Sequence, residues 1–319
     1  MKDRISIALA SYNGARFLRD QLDSLYTQTL LPDEVVVCDD ASTDGTADIL
    51  KEYHDKYGLK YVINDHSLGC NQNFFKAIDL CSGEYICICD QDDIWLPNKI
   101  ETVYHKIHSL DNSKPLCVSS LRYDIDAEGN IIGEVNGPET SGWRGTLLSY
   151  GRNQGCTLII NRLLKDLVMD IVHNKPDLAS QMYYDELISY SAVIKGEKVN
   201  LPDKLIYYRH HDKNTVDPFV GKLTFREKVR RVPVFWGFTI DERLIPLCTT
   251  KKIFNGDIED ASLDAFLTDV TEMMTKPHVW SKLVRILQCH QLSIQQRFNI
   301  AFKSTISILL KSIYRYPLL

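Results

Sequence analysis

Four short apolar runs, each followed by a turn and most by a helical pattern, constrain this chain more than any other feature. Ile5–Ala10 (ISIALA), Glu34–Cys38 (EVVVC), Lys60–Ile63 and Glu84–Cys89 (EYICIC) read as strands. Between them, Phe17, Leu18, Leu22, Leu25 and Tyr26 recur at helical spacing, Ala47–Tyr57 continues as a helix after Ser42-Thr43-Asp44-Gly45-Thr46, and Asn73–Leu80 is a third helix. A β-α-β-α-β-α-β order predicts an α/β fold with a doubly wound, mostly parallel sheet. In such a sheet, ligands bind beyond the carboxyl ends of the strands. Three of those ends are polar or acidic: Ser11-Tyr12-Asn13, Asp39-Asp40 and Asp90-Gln91-Asp92-Asp93. They converge on one rim.

The last of these ends is the most demanding. Three carboxylates within four positions repel one another unless a cation lies among them. A divalent ion with oxygen ligands, Mg²⁺ or Mn²⁺, meets that need and would hold a diphosphate and neutralise it as a leaving group. A lone Asp-x-Asp is weak evidence, but its place at the end of a buried strand in an α/β unit strengthens it. Neither GxGxxG nor GxxxxGK[ST] occurs, which sets aside a dinucleotide or P-loop site and points to a nucleotide-sugar enzyme.

Beyond about residue 105 the rhythm changes. Pro115–Ser120, Gly155–Asn161 and Leu205–Tyr208 read as strands, Arg162–His173 and Tyr183–Val193 as helices, and Asp124–Gly142 as a loop or hairpin. Mostly helix is expected after about residue 216. Three regions result: 1–105, 106–215 and 216–319, the last a helical C-terminal extension. The extension is basic. From Met273 to Leu319 there are seven Lys or Arg and no acid, so the first 272 residues carry a net charge of −12 within an overall −5. Gly221–Arg231, Lys282–Leu287 and Phe298–Tyr314 mix Lys or Arg with apolar residues at helical intervals, as helices lying on an anionic bilayer do. Packing on the catalytic domain or on another subunit is the alternative. No run of 18 apolar residues exists, residues 1–20 lack a signal-peptide pattern, and the nine cysteines form no CxxC pair. Free thiols and a cytoplasmic protein, peripheral on the inner face of the membrane, are therefore expected, with no nucleic-acid partner. Cys87 and Cys89 alternate with Ile86 and Ile88 as core residues.

The runs SIALASYNGARFLRDQLDSLYTQTLLPDEVVVCDDASTDGT and CSGEYICICDQDDIWLPNKI, followed by GCTLIINRLL and YYRHHDKN, resemble family 2 glycosyltransferases of GT-A fold. The later pieces are similar to the rhamnosyltransferase-like branch. The resemblance covers about residues 4–215 and implies that 1–105 is a nucleotide-sugar-binding half and 106–215 an acceptor-binding half of the GT-A domain. It implies a metal-dependent, inverting hexosyltransferase that takes a sugar from a nucleotide-diphosphate donor, dTDP-rhamnose or a UDP-hexose, to a cell-surface polysaccharide or lipid-linked glycan precursor. A sugar nucleotidyltransferase and a non-catalytic nucleotide-sugar binder are the alternatives. Residue by residue, it places Ala10, Ser11 and Tyr12 in the nucleobase pocket and Asp39 on the base N3–H. Asp40 and Asp44 fall where turn and helix caps are common. Asp90 and Asp92 match the Asp-x-Asp pair for ribose and metal contact, with Asp93 behind them. His211 would complete the metal shell or contact the diphosphate, with His210 the lesser candidate, and Arg209 would neutralise phosphate. Asp185 is the expected base, with Glu186 as the other carboxylate in range; many members carry Glu or His where this chain has Tyr184. Trp95 is expected either to wall a sugar or acceptor pocket or to be core.

Overall fold

The computed structural model describes residues 3–135, 142–148, 154–212 and 245–275. The chain divides into two compact units, Met1–Phe219 and Val220–Leu319.

The first unit opens with the expected alternation: β1 (Ile5–Ser11), α1 (Leu18–Tyr26), β2 (Glu34–Asp39), α2 (Thr46–Tyr57), β3 (Lys60–Ile63), α3 (Cys70–Leu80) and β4 (Tyr85–Cys89). Strands β1, β2 and β4 are buried almost throughout, as strands covered on both faces must be. All three pairings, β2 on β3, β1 on β2 and β1 on β4, are parallel. Every C-terminal end in this half therefore points to one rim. The edge strand β3 is mostly exposed and carries Lys60, which discourages further strand pairing. At the opposite end of β2, Glu34 is buried. Burial alone would raise its pKa, but Lys60, Ser6 and two donors from Ser82 outweigh that and hold it at about 2.

The second half was less legible. It comprises β5 (Ile94–Trp95), α4 (Lys99–His108), β6 (Leu116–Ile125), β7 (Ile131–Glu134), α5 (Gly142–Leu148), β8 (Leu158–Asn161), α6 (Arg162–Asn174), α7 (Pro176–Ala179), α8 (Tyr184–Lys195) and β9 (Glu197–Arg209). The single sheet runs β3-β2-β1-β4-β8-β6-β9-β5, with β7 on β6. Here antiparallel pairs join the parallel ones: β8 opposes both β4 and β6, while β9 runs parallel to β6. Gly155–Thr157 is a 3-10 turn and not the start of a strand. Strand β9 is far longer than the expected Leu205–Tyr208, because its register on β6 jumps from Ser119↔Asn200 to Leu121↔Lys204. Pro202 lies within that irregularity, where a missing N–H is tolerated.

The two-residue β5 matters out of proportion to its length. It pairs antiparallel with β9, Ile94 opposite Tyr207 and Trp95 opposite Ile206. This folds the chain leaving the acidic turn back onto the strand that ends in Arg209-His210-His211. In the second unit, residues 245–253 are helical and Ala261–Thr275 is a further helix, with Leu247, Phe254, Leu263, Phe266 and Leu267 buried. The basic segments 221–231, 282–287 and 298–314 lie outside the described residues. No helix among the described residues is long and apolar enough to cross a membrane. All eight described cysteines are free, and Cys87 and Cys89 are core.

Candidate active site

The strand order changes direction at β1, which has β2 on one side and β4 on the other. The crevice beyond β1 and β4 is where an open α/β sheet offers a ligand site, and the polar strand ends meet there. Gln91 ties them together. Its Oε1 accepts from Tyr12 N–H at 2.8 Å and its Nε2 donates to Tyr12 O at 3.1 Å. A Cβ on Gly14 would fall 2.2 Å from Gln91 Oε1, so glycine there leaves room for this clamp. With its backbone pinned at both polar groups, Tyr12 keeps its side chain 53% exposed at the rim. Sequence reasoning passed over Gln91 because a residue flanked by aspartates shows no sign of facing backwards.

Asp39 is fully buried. Oδ1 accepts from Ser11 Oγ at 2.8 Å and Ser42 Oγ at 2.6 Å, and Oδ2 from Ser42 N–H at 2.9 Å. A carboxylate has about four acceptor positions, so one remains on Oδ2. Asp40 is structural. Its oxygens take Asn64 Nδ2, Ser67 Oγ and the N–H groups of Leu68 and Gly69, which fixes the start of α3. Asp44 accepts from Thr46 N–H and Thr46 Oγ1 at the head of α2 and from Ala15 N–H.

The carboxylates of the acidic turn have different partners. Asp92 Oδ2 lies 2.8 Å from His211 Nε2, and the His211 ring packs on Phe17 with centroids 4.9 Å apart. Donor atoms of Asp90, Asp93 and the Cys156 thiol lie within 4.8 Å of one another. Burial, then the charges of Asp93, Asp92 and Asp185, push the Asp90 carboxyl well above its ordinary range. Burial and Asp92 raise Asp93 to about 7. Asp93 Oδ1 accepts from Arg209 N–H at 3.1 Å, while Oδ2 is buried and finds no hydrogen-bond partner among the described residues. Crowded carboxylates, a neighbouring imidazole and an orphaned buried oxygen fit a divalent cation with oxygen and nitrogen ligands.

One expectation needs correction, and one open alternative closes. The guanidinium of Arg209 does not face an open phosphate site. At 2% exposure, its Nε donates to Asp92 O at 2.9 Å, its Nη1 to Ala127 O at 2.9 Å and its Nη2 to Asp20 Oδ2 at 3.0 Å. It clamps the acidic turn, the tip of β6 and α1 together, over the ring of Phe17. Likewise Trp95 is not a pocket wall: it is 2% exposed and belongs to the core, because its pairing with Ile206 turns it inward. His210 pairs with Asp124 Oδ1 at 2.9 Å, away from Asp92.

Helix α8 brings the remaining carboxylate. Asp185 sits in its first turn, where its Oδ1 accepts from Glu186 N–H at 2.9 Å, and Gly155 N–H adds a second donor. Burial outweighs these donors and raises the Asp185 carboxyl to about 7. Glu186 reaches back to Tyr183 N–H at 3.2 Å and so caps the helix. Tyr184 stacks on Phe74 at 3.9 Å between centroids, and its hydroxyl approaches Asp90 Oδ1 at 3.5 Å. A Cβ on Gly155 would fall 1.8 Å from Tyr184 Oη. Gly155 thus serves both neighbours of the site, a role that its position before an apolar run did not disclose.

Fold and site together define an α/β enzyme of the GT-A glycosyltransferase type. Residues 6–150 match the family described as Glycosyl transferase family 2. Among curated relatives, it is 27% identical to the UDP-Glc:alpha-D-GlcNAc-diphosphoundecaprenol beta-1,3-glucosyltransferase WfaP of Escherichia coli, over 80% of this chain and 94% of the relative. It is 26% identical to the dTDP-rhamnosyl transferase RfbG of Shigella flexneri, over 70% and 78%. The fold is shared with S. aureus TarS 1-349, solved with UDP-GlcNAc, at TM-score 0.52 and 15% identity over 98% and 91% of the chains. The mannosyltransferase PcManGT from Pyrobaculum calidifontis, solved with GDP-Man and Mn²⁺, aligns at TM-score 0.52 and 16% identity over 99% and 89%. The likeness to named glycosyltransferases weighs against the nucleotidyltransferase and the non-catalytic binder.

Proposed function

We propose that this enzyme transfers a hexose, with inversion, from a nucleotide-diphosphate donor to a lipid-linked or cell-surface glycan acceptor. The observation that carries the reading is the convergence of the acidic turn with Asp185, a carboxyl of raised pKa, across the β4–α8 gap. The pinned Tyr12, with Ala10 and Ser11 beside it, offers a face for a nucleobase, and the remaining acceptor position of Asp39 suits the N3–H of uracil or thymine. Asp90, Asp92 and His211 would hold Mn²⁺ or Mg²⁺, which when bound neutralises the diphosphate as it leaves. Asp93 and Arg209 keep that turn in place. Asp185 takes the proton from the acceptor hydroxyl as that oxygen attacks the anomeric carbon and the bond to the diphosphate breaks. The relatives that use UDP-glucose and dTDP-rhamnose support either donor.

Thermal melting against UDP, dTDP, GDP and their sugars, each with Mn²⁺, Mg²⁺ or EDTA, tests this directly. A shift with uridine or thymidine diphosphates that EDTA abolishes is expected. A shift with guanosine compounds alone would sink the assignment of Asp39, and no shift at all would sink the donor site. The acid-free C-terminal stretch favours an acceptor presented at an anionic membrane surface. Sedimentation with phosphatidylglycerol vesicles should therefore be lost on removing residues 273–319, and undiminished sedimentation would end that part of the reading.

A further inference from the structure

The start of α3 makes polar contacts in two directions. Asn71, the second residue of the helix, is half-buried. Its side chain reaches the segment that leads into α8. Nδ2 donates to Met182 O at 3.0 Å, and Oδ1 accepts from Tyr184 N–H at 3.1 Å. Tyr184 opens α8, where an N–H has no acceptor within its own helix. Asn71 supplies that acceptor from 113 positions away. Tyr183, between the two bonded positions, is left exposed, while Met182 and Tyr184 are buried. Three residues on, and on the same face of α3, Phe74 stacks on the Tyr184 ring at 3.9 Å between centroids. One amide and one ring thus dock both the backbone and the side chain of the residue before Asp185.

The same helix start is fixed to the strand ends. Asn73 is buried, and its Nδ2 donates to Ser11 O at 3.2 Å and to Cys38 O at 2.9 Å. Its Oδ1 accepts from Asn64 Nδ2 at 3.0 Å. The start of α3 therefore holds the ends of β1 and β2 through Asn73 and the head of α8 through Asn71. Reacting groups need such support, because a group held about 1 Å out of place loses much of its effect.

We propose that Asn71 is a positioning residue: through Met182 O and Tyr184 N–H it sets where the Asp185 carboxylate stands relative to the donor pocket at β1 and β2. This rests on the role of Asp185 proposed above; the docking of α8 on α3 does not.

Hydrogen exchange of the ligand-free protein tests the docking. Asn71→Ala should speed exchange at residues 182–187 and leave β1 and β4 at wild-type rates. Unchanged exchange at 182–187, or a rise spread over the whole sheet, would overturn the proposal. Release of UDP from UDP-glucose, or of dTDP from dTDP-rhamnose, with Mn²⁺ present and water as acceptor, tests the consequence. The kcat of Asn71→Ala should fall about 10–100-fold, with the donor KM and the donor-induced melting shift close to wild type. A raised donor KM at unchanged kcat would overturn the proposal. In an Asp185→Asn background, Asn71→Ala should lower kcat no further, because it acts only through Asp185. A further fall as large as the one seen alone would make Asn71 a general structural residue. Should Asn71→Ala not fold, Asn71→Asp, of the same shape but without the donor to Met182 O, carries the same comparisons. Full release by Asp185→Asn together with faster exchange in Asn71→Ala would strike the base assignment and leave the docking standing.

Discussion

Asp185→Asn is expected to lower kcat by about 10²–10⁴-fold, the usual effect of losing a general base, with little change in the donor-induced thermal shift. The amide keeps the shape and can still accept from Glu186 N–H through its oxygen, but it cannot take a proton. Glu186 is a poor substitute because it is occupied at the helix start. Full transfer by Asp185→Asn would remove this residue from the mechanism. The pH dependence gives a second check. Asp185 releases its proton near 3.8 in an unfolded chain and near 7 in the folded one. The folded state therefore binds that proton more tightly between the two values. Stability from this group is present in full below 3.8 and is lost as pH rises through about 7. The same ionisation creates the base. The kcat/KM profile should rise through about pH 7 while the melting temperature falls, and the Asp185→Asn variant should lack this component of the fall. A flat kcat/KM profile between pH 6 and 8 would contradict the assignment.

Gly155→Ala carries the other large expected effect. The new methyl would overlap Tyr184 Oη at 1.8 Å and the ring carbon Cζ at 2.4 Å. Both belong to a ring stacked on Phe74, so relief requires the helix start or the stack to move. Overpacking of this kind costs about 1–3 kcal/mol, which is several degrees of melting temperature for a domain of this size. Transfer should fall by at least about tenfold, since a 1 Å displacement of a positioned group has effects of that order or more. In a Tyr184→Ala background the added methyl has nothing to strike, and its further cost in melting temperature should largely vanish. A Gly155→Ala variant that melts and transfers like wild type would show that the contact between Gly155 and Tyr184 yields freely.

The parallel half of the fold was legible because its strands are buried on both faces. Runs such as Val35–Cys38 and Ile86–Cys89 have no other stable place than between layers of helix, and turn residues punctuate them at each end. The rim of polar strand ends follows from that alone. The second half was less legible because its elements depend on partners far away. Strand β9 contains Glu197, Asn200, Pro202 and Asp203 and becomes a strand only against β6 and β5. The same holds for individual roles. Asp185 and Asp92 stood out by residue type and position, but Arg209 looked like a phosphate ligand until β5 drew the acidic turn onto it. Trp95 was ambiguous for the same reason.

The chain's own pattern thus determined an α/β sheet with an acidic rim, since local burial and turn chemistry act over a few residues. Only the tertiary structure decided which carboxylates crowd together, which cation is a clamp, and which glycine admits a tyrosine. Those are set by contacts between residues some 30 to 190 positions apart, such as Ser11 with Asp39, Gln91 with Tyr12, and Arg209 with Asp20, and nothing in the local sequence encodes the direction in which such side chains turn.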